Sequence, residues 1–135
     1  MIVIPGNKIV YTDCDDTLVF WHSTPEQKEK EGVLFTCPGS MVWDVDGEEI
    51  GYANSWSEIL VPNWPQIEEL RKFKIRGHKI ILWSAAGVEW CETIAKTLKL
   101  EDVIDVCICK PVYVIDDLPV SEFMPQSRLI KRETK

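Results

Sequence analysis

The chain has 135 residues, 45% of them apolar and 27% charged, which suits one soluble domain with a proper hydrophobic core. Its net charge of −7 argues against non-specific binding to nucleic acid or to an anionic membrane. No apolar run is long enough to span a bilayer and Met1-Ile-Val-Ile-Pro-Gly6 lacks a signal-peptide pattern, so no membrane association and a cytoplasmic location are expected.

The first apolar run, Ile9-Val-Tyr-Thr12, reads as a strand. The stretch 22–62 then breaks the rhythm of the chain. Glu26–Glu31 is a charged loop or helical turn, and Asp46-Gly47 between Met41-Val-Trp43 and Ile50-Gly-Tyr52 predicts a β-hairpin. This stretch of about forty residues reads as a flap inserted over one edge of a single domain spanning 1–135. A helix is predicted over roughly 65–76, with Ile67, Leu70 and Phe73 three apart, Pro65 in its first turn and Gly77 after its end. Ile80-Ile-Leu-Trp83 is the next strand. A second helix over roughly 88–99 puts Trp90, Ile94 and Leu98 on one stripe. Val106-Cys-Ile-Cys109 and Val112-Tyr-Val-Ile115 are the last two predicted strands.

All four apolar runs are continuous rather than alternating, as expected of strands buried on both faces of a parallel sheet. Alternating strands and helices predict an α/β fold: a Rossmann-like parallel sheet with flanking helices plus a small β-hairpin flap. The five cysteines, at 14, 37, 91, 107 and 109, form no C-x-x-C pair and read as reduced, mostly buried thiols. A tail carrying Arg128, Lys131, Arg132 and Lys135 is a candidate basic patch.

Each apolar run is followed by chemistry. The first leads into Asp13-Cys-Asp15-Asp16-Thr17, the second into Ser84, the third into Lys110 and the fourth into Asp116-Asp117. Ligands of open α/β sheets bind at the carboxyl ends of the strands, so these groups are expected on one rim. Taken singly, each has a plain structural reading: a turn for the acids, a helix cap for Ser84, a surface charge for Lys110. Together, several carboxylates on one rim repel unless a cation sits among them, and no histidine cluster or cysteine pair accompanies them. All-oxygen donors suit Mg²⁺. Lys110 and Ser84 then read as phosphate binders. A carboxylate nucleophile would split hydrolysis into two displacements, and a second acid two residues on would handle the proton.

Asp13-Cys-Asp15-Asp16-Thr17-Leu18 resembles the first motif of the haloacid dehalogenase (HAD) superfamily, D-x-D-x-[TV]-[LV]. Ile80–Ser84 is similar to the second motif, Lys110 to the third and Val112-Tyr-Val-Ile-Asp116-Asp117 to the fourth in its acidic-pair form. The resemblance covers roughly 8–20 and 64–120. It implies a HAD-like fold and an Mg²⁺-dependent phosphoric monoester hydrolase. Asp13 would be the nucleophile, phosphorylated in turn. Asp15 would be the acid/base and would lend its backbone carbonyl to the metal. Asp13 and Asp116 would ligate Mg²⁺, with Asp117 ligating or holding a bound water, and Ser84 and Lys110 would hold the phosphoryl group. An aspartate at position 15 sets the chain apart from the dehalogenases, and from the ATPase pumps, which carry threonine there.

The insertion stands where many such proteins carry a cap, and it is too short for a full helical one, so the resemblance is to a capless or minimally capped member. Trp21, Trp43, Trp56 and Trp64 lie in or beside it. Either they stack on a base or sugar, or they pin the flap to the sheet. The expected partner is a phosphorylated substrate, small or macromolecular, and an oligomer that closes the rim is compatible with the same pattern. No Gly-Lys occurs, which excludes a P-loop, and no arginine stands six positions after a cysteine, which excludes a cysteine phosphatase. A phosphotransferase or mutase on the same machinery and a catalytically silent binding module of the same fold are the alternatives.

Overall fold

Three of the four apolar runs pair into one parallel sheet. The computed structural model describes residues 8–38, 41–43, 45–52 and 55–124. In chain order these form β1 (Ile9–Asp13), β2 (Val19–Phe20), α1 (Pro25–Glu31), β3 (Val33–Cys37), β4 (Met41–Trp43), β5 (Glu49–Tyr52), β6 (Trp56–Pro62), α2 (Trp64–Ile75), β7 (Lys79–Ser84), α3 (Val88–Thr97), β8 (Val106–Cys109) and α4 (Val120–Phe123).

The parallel sheet has the order β1-β7-β8. Its register sets Ile9 beside Lys79 and Asp13 beside Trp83, then Ile81 beside Val106 and Ser84 beside Cys109. Parallel neighbours need crossovers, and the predicted helices supply them: α2 precedes β7 and α3 links β7 to β8. Trp90, Ile94 and Leu98 of the α3 stripe are buried with Ile67 and Leu70 of α2 and with Ile80 and Leu82 of β7. The chain is thus a mixed α/β protein with a small parallel sheet and flanking helices.

The expectation of strands buried on both faces is corrected. Burial along β7 alternates, with Ile80, Leu82 and Ser84 inside, and the core cluster lies on that face. On the other face Ile9, Tyr11 and Val106 are exposed, and Tyr11 and Trp83 cover part of it with ring centroids 4.4 Å apart.

The fourth predicted strand is a correction as well. Val112–Ile115 takes no strand pairing and its side chains are exposed, from 51% at Val114 to 101% at Val112. An apolar run becomes a strand only where a neighbouring edge accepts its backbone bonds, and among the described residues this segment has none. The basic tail lies outside the described residues.

The stretch 22–62 is more than a flap. Glu26–Glu31 belongs to α1, started by a capping box in which Thr24 Oγ1 accepts from the Gln27 N–H and the Gln27 side chain accepts from the Thr24 N–H. β3 and β2 flank β6 in an antiparallel sheet, Val33 opposite Leu60 and Val19 opposite Pro62. Phe35, Cys37 and Leu60 enter the same core as α3. The predicted hairpin is present as β4 and β5, with Gly47 at a positive φ of 81° in its turn. Among the described residues no helix is long and apolar enough to cross a membrane.

Candidate active site

The segment after β1 is a tight, heavily bonded turn. The Cys14 carbonyl accepts from the N–H groups of Thr17, Leu18 and Val19, and the Val19 carbonyl accepts from the Asp16 N–H. This geometry forces Asp16 to a φ of 58°, a left-handed conformation that aspartate tolerates better than most residues. The Asp16 carboxylate accepts from the Trp21 N–H at 3.2 Å. Asn63, just before α2, closes the turn from outside: its side-chain amide donates to the Thr17 carbonyl and its backbone N–H to that of Leu18, at 2.9 and 2.8 Å. Leu18 and Cys14 are fully buried beneath.

This turn presents two acids. Asp13 ends β1, half-buried, with the Thr17 hydroxyl 3.5 Å from its Oδ2. Asp15, also half-buried, has three neutral donors on its carboxylate. Trp21 and Trp90 both donate from Nε1 to Oδ1, at 2.7 and 2.9 Å, and Ser84 donates from Oγ to Oδ2 at 3.1 Å. Between the acids, the contact with Cys91 at 3.5 Å and burial hold the Cys14 thiol far above its ordinary pKa. Cys14 itself therefore adds no charge between the two carboxylates.

Ser84 lies at the carboxyl end of β7 and is fully buried, its Oγ accepting from the Ala86 N–H at 3.0 Å. Its hydroxyl proton is thus committed to Asp15 in this structure. The Ser84 carbonyl accepts from the Lys110 N–H at 3.0 Å, which fixes Lys110 on the same rim just past β8. Its ammonium is exposed and, among the described residues, has no ion-pair partner. The first three strand ends thus bring Asp13, Asp15, Ser84 and Lys110 to one rim.

Among the described residues no hydrogen bond or ion pair joins Asp116 or Asp117 to this group. Both are exposed, in a segment with no strand, and the Asp116 carboxylate accepts from the Leu118 N–H at 2.9 Å in a local turn. The donor set as a whole is all oxygen, the chemistry a hard cation takes. Among the described residues, however, no group of three or more histidine, cysteine, aspartate or glutamate side chains is arranged to hold a metal. The donor chemistry of Asp13, the Asp15 carbonyl, Asp116 and Asp117 suits Mg²⁺. A cavity of about 340 Å³ lies elsewhere, between α3 and β8, lined by Glu92, Lys96, Asp105 and Cys107 among others.

Sequence reasoning missed Trp90 and Asn63 as site residues. Trp90 sits on the apolar stripe of α3 and reads as core, which its ring is, while its N–H reaches a carboxylate 75 positions away. Of the insertion tryptophans, Trp21 and Trp56 pack with Trp90, centroids 4.9 to 6.0 Å apart, and Phe35 meets Trp90 at 5.8 Å. These rings pin the insertion to α3. Trp64 is exposed, and the side chain of Trp43 lies outside the described residues.

No family model matches the chain, and no curated protein or solved structure is significantly similar to it.

Proposed function

We propose that the protein is a HAD-type phosphoric monoester hydrolase with Asp13 as nucleophile and Asp15 as acid/base. The observation that carries this reading is the pair itself. Two carboxylates two residues apart leave the carboxyl end of a central-sheet strand, and one of them is held in place entirely by neutral donors. A carboxylate kept off cations and fixed in orientation suits proton transfer.

In the first displacement an Asp13 carboxylate oxygen attacks phosphorus while the bond to the leaving oxygen breaks. Asp15 gives that oxygen its proton. In the second, Asp15 takes a proton from water as the water oxygen attacks the phosphorus of the aspartyl phosphate and frees Asp13. Lys110 neutralises the dianion that Asp13 must approach. Mg²⁺, when bound, supplies further charge neutralisation; its proposed holders are Asp13, the Asp15 backbone carbonyl, Asp116 and Asp117. Ser84 is the second proposed phosphoryl contact, through a hydroxyl that must first turn from Asp15.

The purified protein is expected to release inorganic phosphate from an aryl phosphate with Mg²⁺ and to stop with EDTA. Equal rates after thorough chelation would overturn the magnesium part of the reading.

The substrate favoured is a phosphate presented on a macromolecule, a nucleic-acid end or a phosphoprotein. The insertion of about forty residues is too short for a full helical cap, and a rim without one would leave specificity to a larger body resting on it. kcat/KM is to be compared for a 3′-phosphorylated oligonucleotide, a phosphopeptide, a nucleoside monophosphate and a sugar phosphate. A small metabolite winning a hundredfold, about 2.7 kcal/mol, would overturn that preference.

The exposure of Asp116 and Asp117 in a segment without strand pairing favours a second reading, a silent module of the same fold that binds phosphate without turnover. Its signature is phosphate binding in the absence of any release.

A further inference from the structure

Asp15 has two oxygens, and its surroundings treat them differently. Oδ1 accepts from the indole N–H groups of Trp21 and Trp90. Each carboxylate oxygen offers two lone pairs, so both of those on Oδ1 are taken. An indole N–H only donates; it has no way to turn round and accept. A proton on Oδ1 would therefore have to displace one of the two indoles, and one of them, Trp90, is only 2% exposed and locked among Trp21, Trp56 and Phe35. Among the described residues Oδ2 accepts only from the Ser84 hydroxyl, which leaves one lone pair open to them.

We infer that Trp21 and Trp90 are positioning residues that assign the transferred proton to Oδ2 of Asp15. The inference rests on the phosphohydrolase reading and deepens it. Oδ2–H gives its proton to the leaving-group oxygen while the Asp13–phosphorus bond forms, and the freed Oδ2 takes one back from the attacking water. Oδ1 stays anchored through both steps, so the carboxylate does not rotate between them. Trp21 also opens the inserted stretch and Trp90 belongs to α3, so the acid is fixed only when the insertion is packed against that helix.

The test is steady-state hydrolysis of an aryl phosphate by Trp21→Phe and Trp90→Phe, which keep a ring and delete the N–H. Each is expected to lose about tenfold in kcat, with KM changed by less than about twofold, because the lost bond goes to a charged group that acts in the chemical step. Trp56→Phe is the packing control, since Trp56 touches both rings and is not a partner of Asp15; its kcat is expected within about twofold of wild type. In an Asp15→Asn background, Trp90→Phe is expected to cost nothing further.

Trp21→Phe, at a half-buried site, keeps the test available should Trp90→Phe lose its fold. Two phenylalanine variants with wild-type kcat, beside an inactive Asp13→Asn, would overturn this inference and leave the phosphatase reading standing. A wild-type protein without turnover would overturn the reading itself. The ¹H–¹⁵N spectrum distinguishes the cases without activity: Asp15→Ala should shift the indole signals of Trp21 and Trp90 and leave that of Trp64 in place. Unmoved Trp21 and Trp90 signals would overturn the hydrogen-bond pair.

Discussion

Two segments of this protein follow sheet strands and carry paired acids, and the fold treats them in opposite ways. Residues 13–19 are gripped from every side: by their own backbone bonds, by Asn63, by Trp21 and Trp90, and by Leu18 sunk into the core. Among the described residues, 110–118 bond to the sheet only at their start, where Lys110 donates to Ser84, and then run exposed through Val112–Ile115 to Asp116. The two acid pairs look equally functional on paper. What separates them is whether the preceding apolar run found a strand edge to pair with. β1 did, along β7; Val112–Ile115 did not.

The largest expected difference between the segments is catalytic. Asp13→Asn should abolish turnover and any aspartyl phosphate, and Asp15→Asn should cost on the order of 10² to 10⁴ in kcat, as loss of a general acid/base does. A fully active Asp13→Asn protein would sink the mechanism. Asp116→Asn reads the other segment: a loss as large as that of Asp15→Asn would mean that this acid reaches the rim during turnover.

Stability sharpens the same contrast. Leu18→Ala removes a fully buried side chain and should cost about 2–5 kcal/mol in denaturant unfolding. Ile115→Ala, at an exposed site, should stay within about 0.5 kcal/mol. A cost of about 2 kcal/mol at Ile115 would show that the run is docked as a strand in solution.

Lys110 stands at the boundary between the two, with a fixed backbone and a free head. Lys110→Ala should lower kcat/KM by about a hundredfold, near 3 kcal/mol, if the ammonium meets the phosphoryl group. A change below about threefold would leave it a surface charge.

The smallest effect concerns Asp105, ahead of β8. Burial pushes its carboxyl up, but the Lys74 ammonium, the Ile80 N–H and Lys79 outweigh this and hold it below the ordinary 3.8. A depressed carboxylate stabilises the fold above its unfolded pKa, and that contribution fades as pH falls through the folded value. Solvent screening at this exposed site limits the effect, so Asp105→Asn should cost at most about 0.5 kcal/mol near neutrality, with the gap closing as pH falls below about 4. A Tm difference that stays constant down to pH 2.5 would show that the charge plays no part.

Much of this was legible in the residues themselves. The period of Ile67, Leu70 and Phe73 and that of Trp90, Ile94 and Leu98 marked α2 and α3, because helix-face spacing follows from backbone geometry alone. Asp46-Gly47 marked the hairpin turn, since few residues accept the backbone it needs. Placing Asp13, Asp15, Ser84 and Lys110 on one rim needed only the rule that parallel strands point the same way.

Other features had no local signature. Residues 33–37 with 56–62 became core strands through pairing between residues 19 to 27 positions apart. Val112–Ile115 carries a strand's composition without a partner among the described residues, and strand formation is a property of the pair. The bonds of Trp21, Trp90 and Ser84 to Asp15 join residues from different elements, up to 75 positions apart for Trp90. The chemistry of a side chain is written at its own position. Its orientation depends on which distant donors the packed core brings within about 3 Å, and only the tertiary structure decides that.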